Sequence, residues 1–147
     1  MKDVMEKTDL ELLFEEHVAL TDFVEYGFSM QDVIEGKPIP KSGARFDIYF
    51  EGDVMGDKIN GKITGVDYLE VRADGRFFLN LHATIITDDG ASILVEETGI
   101  NDLGTLKLNM KFHTNDERYE WVNRAQVAGL GAVDFNTGKA NVKGYLI

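Results

Sequence analysis

The sequence predicts an all-β protein built as a single antiparallel β-barrel of about eight to ten strands. Two observations predict this fold class. Apolar and polar residues alternate along several runs, which is typical of strands with one buried and one exposed face. Tight turns with Asp-Gly or Asn-Thr-Gly separate neighbouring runs, as in a meander of hairpins. A meander of this length must protect its edges, and closure into a barrel does so.

The individual strands follow from this alternation. It is most regular in 45–54, where Phe46, Ile48 and Phe50 share one phase, and in 106–112. Further strands are predicted over 59–64, 66–72, 76–87, 91–98, 124–131 and 139–147. The interior of a barrel with this many strands is just wide enough for side chains or for one small ligand.

Three segments do not show a clear alternation of apolar and polar residues. The run 10–20 fits a strand and a helix equally well. Segment 29–43 contains both prolines of the chain, and because proline cannot donate to a strand ladder, a loop is predicted there. Thr114 precedes Glu117 with the spacing of a capping box, so a short helical turn is predicted over 116–123.

Composition excludes several classes of protein. The chain has 147 residues, of which 15 are basic and 26 acidic, for a net charge of −11. Such a surface repels phosphate backbones and anionic lipid head groups, so neither nucleic acid nor a membrane is expected as a partner. The absence of cysteine excludes a disulfide framework and a thiolate metal site. Residues 1–9 lack the apolar core of a signal peptide, so we expect a flexible extension on one cytoplasmic domain over 1–147.

Two stretches resemble a known family. Residues 116–125 (DERYEWVNRA), followed by a Gly-Leu-Gly strand segment at 129–131, resemble a motif of the uncharacterised family DUF3237, also described as UPF0311. Residues 68–95, with turns at 72–75 and 87–91, match it as well. The resemblance implies a single antiparallel barrel similar to the lipocalin-like calycins, favours a strand over the first ambiguous run, and implies little about activity.

Two residues are candidate catalytic groups. Asp67 lies in an apolar run, within a Gly-x-Asp-Tyr match to the family, and a carboxylate pointing into a barrel is costly unless it is paired. Arg124 is a natural partner if Asp67 points inward; otherwise Asp67 is one more surface acid. His82 lies on the mixed face of 77–87 and has a pKa suited to a general base, although a surface position is the alternative.

Six further residues are candidate ligand contacts. Asparagine and arginine orient carbonyl and carboxylate groups, aromatic rings cover the apolar part of a ligand, and strand alternation sends one of two neighbouring glutamates inward. The alternative for the C-terminal three is structural: the tryptophan closes a barrel end, the asparagine caps the helical turn, and the arginine pairs with a loop acid. The six are Tyr68, Phe78, Glu96, Trp121, Asn123 and Arg124.

Two functions are therefore open. In the first, the barrel binds a small organic ligand with an oxygen-rich end and acts on it as an isomerase, hydratase or decarboxylase. Asp67 or His82 then moves a proton, and Asn123 with Arg124 holds an oxyanion. In the second, the barrel is filled by side chains and serves as an oligomeric structural or interaction protein. No metal or cofactor is expected, because the three histidines lack metal-binding spacing, and a homodimer is expected in either case.

Overall fold

The computed structural model describes residues 10–147, and they form a closed barrel of eight antiparallel strands. Each strand pairs with its neighbours in sequence, and the last strand pairs with the first. The predicted fold class is confirmed, whereas the predicted flexible extension lies outside the described residues. The strands are β1 (Leu12–Glu25), β2 (Ala44–Met55), β3 (Gly61–Val71), β4 (Phe77–Thr87), β5 (Ser92–Asp102), β6 (Thr105–His113), β7 (Val127–Asp134) and β8 (Lys139–Leu146).

One predicted boundary is wrong. The two predicted strands 59–64 and 66–72 are a single strand, β3, which passes straight through Gly65. This glycine marks a close approach and not a turn. A Cβ atom at Gly65 would lie 2.6 Å from the carbonyl oxygen of His82 and 2.8 Å from the ring of Phe50. The first ambiguous run is part of the long strand β1, as the family resemblance implied.

The predicted loop 29–43 contains a short helix, α1 (Met30–Ile34), which the sequence analysis missed. A capping box starts it: the Asp32 backbone N–H donates to Ser29 Oγ at 3.0 Å, and the Ser29 N–H donates to Asp32 Oδ2 at 3.2 Å. Met30 is buried and Val33 packs against the core. The segment therefore covers part of one barrel end.

The predicted helical turn is confirmed as a 3₁₀ helix over Glu117–Arg124, capped by the side chain of Asp116. Val122 in this helix is fully buried, and Tyr119 and Trp121 pack against the core. The helix connects β6 to β7, so it lies at the end of the barrel opposite α1. It closes that end with apolar side chains.

The inward positions of all eight strands form one continuous core. Buried residues alternate with exposed ones most regularly in β5 and β6, as expected for strands with solvent on one side only. Within residues 10–147 no helix has both the length and the apolar character required to cross a membrane.

Candidate functional site

The centre of the barrel contains a cavity of about 70 Å³ that is partly open. This is roughly half the volume of an engineered apolar cavity that holds benzene, so it encloses part of a molecule of that size, and the rest of such a molecule extends through the open end. Four of its lining residues are polar and the others are apolar. The polar ones are Glu16, Asp67, Glu97 and Asn101.

The cavity extends towards the barrel end that lies opposite the 3₁₀ helix. Asn101 and Leu106 flank the β5–β6 turn, Val133 lies near the end of β7, and Phe135 lies in the β7–β8 turn, and all four line the cavity. Leu20 of β1 and Ile48 of β2 line it as well, whereas the α1 segment does not.

Asp67 projects into the cavity from the middle of β3. It is 8% exposed, and its Oδ1 accepts a hydrogen bond from the backbone N–H of Asn80 at 3.1 Å. Burial raises the pKa of the Asp67 carboxyl to about 7, while the hydrogen bond from Asn80 opposes that rise. Near neutral pH this group therefore exchanges a proton readily.

Two glutamates share the cavity with Asp67. Glu16 on β1 is 5% exposed, and Glu97 on β5 is 2% exposed. Burial raises the pKa of Glu16 to about 7. The pKa of Glu97 is raised well above its usual value, first by burial and then by the negative charges of Glu16 and Asp67. The three acids therefore do not titrate independently, and ionisation of Glu16 or Asp67 makes ionisation of Glu97 harder.

Strand alternation explains why both glutamates point inward. Glu16 lies two residues from both Phe14 and Val18, and Glu97 lies two residues after Val95. Each glutamate therefore occupies an apolar phase of its strand. The sequence analysis did not name Glu16, and of the two adjacent glutamates it named Glu96, which faces outward, and not Glu97. An acid in the apolar phase of a strand is the signal that identifies both inward glutamates.

Asp67 is the predicted site residue that the structure places in the cavity. Asp67 and Glu97 both pair with Leu81 across the sheet, so they flank it on neighbouring strands. The predicted partner Arg124 is exposed at the end of the 3₁₀ helix and makes no contact with Asp67. The inward carboxyl thus has a backbone amide as its partner in place of a guanidinium.

Three predicted residues, Tyr68 of β3 with Phe78 and His82 of β4, lie on the outer face of the barrel. His82 is exposed, and its ring meets that of Tyr68 edge-on at 6.1 Å between centroids. Phe78 is covered by two guanidinium groups, with Arg72 at 5.5 Å and Arg76 at 5.7 Å from the ring centroid. The inward face of this strand is the purely apolar one.

The remaining predicted contacts are also remote from the cavity. Glu96 is exposed on the outer face of β5. Asn123 joins the 3₁₀ helix to the end of β6: its side-chain oxygen accepts from the Thr114 N–H and its amide donates to the Thr114 carbonyl, both at 2.8 Å. Trp121 packs partly against the core, with Lys58 Nζ at 5.7 Å from its ring centroid.

A metal centre has no support in the described part of the chain. Within residues 10–147 no three histidine, aspartate or glutamate side chains are grouped closely enough to hold an ion. Glu16, Asp67 and Glu97 share a cavity without forming such a group. The cavity thus offers proton-exchanging acids spread over an apolar wall.

Solved structures share this barrel. The chain is similar to a β-barrel-like protein of Acinetobacter baumannii, with a TM-score of 0.73 and 22% identity over 93% of this chain and 94% of that one. It is similar to a protein of unknown function from Clostridium acetobutylicum, with a TM-score of 0.75 and 22% identity over 93% and 95%. It is also similar to an enzyme from Penicillium herquei, with a TM-score of 0.65 and 24% identity over 92% of each chain. Identity this low shows the fold alone.

One curated relative has a described activity. The chain is 33% identical over 79 residues to the hydroalkoxylation enzyme phnH of Penicillium herquei, a match that covers 53% of this chain and 50% of that protein. The match thus spans about half the length of the relative. The family model of DUF3237, described as proteins of unknown function, matches residues 9–145, and the chain belongs to this family.

Proposed function

We propose that the protein is an acid–base enzyme that acts on a small, mostly apolar molecule in the barrel cavity. The observation that carries the proposal is the position of Asp67, whose carboxyl faces an apolar cavity, next to two further buried carboxyls. Acids and bases that work near neutral pH are most efficient when their pKa values lie close to the working pH. Burial in the barrel moves Asp67 into that range.

The environments of the carboxyls suggest different roles. Burial and the charges of Glu16 and Asp67 raise the pKa of Glu97 well above its usual value, which suits the acid, while the pKa of Asp67 near 7 suits the base. The hydrogen bond from Asn80 fixes one oxygen of Asp67, which leaves its other oxygen for the ligand. Asp67 on β3 and Glu97 on β5 lie on either side of Leu81 of β4, and this placement allows one to donate a proton while the other accepts one.

The name of the curated relative suggests a reaction that needs this pair. Hydroalkoxylation adds an O–H group across a carbon–carbon double bond. In our proposal Glu97 gives its proton to one alkene carbon, the hydroxyl oxygen bonds to the other carbon, and Asp67 takes the hydroxyl proton. One proton then passes from Asp67 to Glu97, so no oxidant, reductant or cofactor is consumed. The electron pair of the double bond forms the new C–H bond.

The cavity favours this proposal over a structural role. A barrel that serves only as a scaffold is filled by side chains, and buried carboxyls with raised pKa values cost it stability. Here the centre remains partly open and three acids point into it. Perturbed acids in a cleft are the usual sign of a functional site.

A direct test uses 4-methyl-4-penten-1-ol, which closes to 2,2-dimethyltetrahydrofuran when its O–H adds across its double bond. We expect the wild-type protein to accelerate this closure, with solvent deuterium appearing in one methyl group by NMR. Asp67→Asn should reduce the rate by roughly 10²- to 10⁴-fold, the usual contribution of a general acid or base. Asp53→Asn, on the exposed outer face of β2, is the matched control and should retain the rate.

Two outcomes would contradict the proposal. If the wild-type protein does not exceed buffer, this reaction class is wrong. If Asp67→Asn turns the alcohol over as fast as the wild type does, Asp67 is not the proton-transfer group.

A further inference from the structure

Within residues 10–147, the lumen of the barrel, by which we mean the central cavity, is lined by the carboxyls of Glu16, Asp67 and Glu97 and by no positively charged side chain. The lining also contains one amide. The amide oxygen of Asn101 already accepts from the Gly104 N–H at 2.7 Å. A ligand in the cavity therefore meets oxygen acceptors and protonated carboxyls on an apolar wall.

Two of these acids turn free oxygens to the cavity. Glu16 and Glu97 are more than nine-tenths buried and line the cavity, and neither has a side-chain hydrogen bond or ion pair with another described residue. No fully buried polar side-chain atom of the described residues lacks a partner, so the free carboxyl oxygens of these two acids border the cavity space. Buried carboxylates in proteins are normally paired with a cation or with hydrogen-bond donors. What they lack within the described chain, a ligand can supply.

We propose that the lumen binds positive charge and takes a compact organic cation with a short alkyl body. The pocket is too small and too apolar for a hydrated metal ion, and the carboxyls are too far apart to coordinate a bare one. The N–H groups of an amidinium or ammonium can donate to one carboxyl or to two, while the alkyl group contacts residues such as Leu81 and Leu108. An anion would face three acids at short range and is excluded.

This inference rests on the proposed function and specifies its electrostatics. Protonation of an alkene leaves positive charge on carbon, and the lumen is built to stabilise that sign of charge. The sequence analysis expected the opposite, an oxyanion held by Asn123 and Arg124. A stable organic cation is then an analogue of the charged stage of the reaction, which enzymes bind more tightly than the substrate.

Three molecules of the same shape test the sign of the charge. Isobutyramidinium, isobutyramide and isobutyrate share a branched three-carbon body and a planar head, and their charges are +1, 0 and −1. NMR titration of the wild-type protein gives their affinities, and shifts of the Leu81 and Leu108 methyl groups locate the binding. Leu94, on the outer face, is the internal control for binding elsewhere.

We expect isobutyramidinium to bind at least about tenfold more tightly than isobutyramide, and isobutyrate to bind most weakly. Combining Glu16→Gln with Glu97→Gln keeps the shape of the lumen and should reduce the advantage of the cation over the amide to about threefold or less. Glu96→Gln removes an acid from the outer face of the same strand and should leave the ranking unchanged.

Three outcomes would overturn the inference: equal affinities of the three molecules, a preference for isobutyrate, or shifts at Leu94 without shifts at Leu81. If the double variant fails to fold, the ranking measured with the wild-type protein decides alone. Turnover of the alkenol that depends on Asp67, without the charge ranking, overturns the inference and leaves the proposed function standing. The charge ranking without turnover supports the inference and contradicts the proposed function.

Discussion

The backbone N–H of Asn80 donates a hydrogen bond to Asp67 Oδ1 across the β3–β4 pair, at 3.1 Å. The pairing of these strands runs from Gly61–Thr87 to Asp67–Leu81, is interrupted over the next two positions, and resumes at Glu70–Phe78. The sheet thus opens where the carboxyl takes up a main-chain donor. Because the donor is a main-chain N–H, a substitution of the side chain at position 80 does not remove this hydrogen bond to Asp67.

The raised pKa values make stability depend on pH. Asp67 and Glu16 have pKa values near 7 in the folded chain, against 3.8 and 4.5 as ordinary values, so the folded state binds more protons than the unfolded state. Their contribution to stability is complete below about pH 4 and is lost as the pH rises through 7. Urea unfolding should show a lower free energy of unfolding near pH 8 than near pH 5.5, by on the order of 2 kcal/mol for each group.

Acids with lowered pKa values act in the opposite sense, at lower pH. Asp116, beside Arg118, has a pKa of about 2, and its contribution is lost only as the pH falls towards that value. The window from pH 5.5 to 8 therefore isolates the buried acids. A free energy of unfolding that rises across this window would contradict their burial.

Glu97→Gln should change stability in a pH-dependent way. Gln keeps the shape of the protonated acid, so near pH 5.5 we expect a change within about 0.5 kcal/mol. Near pH 8 folding of the wild type must either keep Glu97 protonated or bury its charge, and the variant does neither, so the variant should be more stable by about 1–2 kcal/mol. Urea titrations at both pH values measure the difference.

Glu96→Gln is the control for that variant. It removes the same charge from the exposed side of β5, so it should have little effect at either pH. If the two variants behave alike, Glu97 does not occupy the interior.

Asn123→Ala separates a structural role from a ligand contact. The variant loses both hydrogen bonds to the backbone of Thr114, which tie the 3₁₀ helix to β6. We expect a loss of about 1–2 kcal/mol in the free energy of unfolding, because the Thr114 backbone then lacks its partner. Turnover measured well below the midpoint of unfolding should remain at the wild-type value.

Arg124→Ala provides the comparison for Asn123, since it alters an exposed neighbour at the end of the same helix. Its stability should stay within about 0.5 kcal/mol of the wild type. A large loss of turnover in either variant, without loss of stability, would restore these residues to the site.

Ala140→Leu should block the lumen. Ala140 lines the cavity from β8, and three added carbon atoms occupy much of its volume of about 70 Å³. We expect loss of isobutyramidinium binding and of turnover, with the thermal midpoint equal or higher because a cavity is filled. Ala132→Leu, at an exposed position on β7, is the control and should retain both. Unchanged binding in Ala140→Leu would place the ligand elsewhere.

Local sequence patterns predict most of the strands of this barrel, but they predict few of the residues that line its cavity. Alternation and turn chemistry give the strands, because both depend on neighbours in sequence. The two faces of β4 show the limit: alternation separates the apolar face with Leu79 and Ala83 from the mixed face with His82, but it does not say which face lines a cavity. A closed barrel has one interior, so the packed layer and the cavity wall are the same face. The mixed face is then the solvent side.

The positions of the three buried acids could be predicted only in part from the sequence. Val95 and Glu97 share a phase, so β5 alone was sufficient to choose Glu97 over Glu96. The meeting of Glu97 with Glu16 and Asp67 depends on closure between strands that are distant in sequence, which no local pattern encodes. Likewise, the partner of Asp67 is a main-chain amide that depends on the path of β4 and not on a residue type.

The 3₁₀ helix closes one of the two ends of the barrel. Val122 is fully buried at that end, whereas the cavity extends towards the other end. In the proposed reaction the product then leaves by the path that admits the next substrate, and the two cannot occupy that path together. We expect accumulated product to compete with substrate for the free protein, so that its inhibition raises the apparent KM while leaving kcat unchanged.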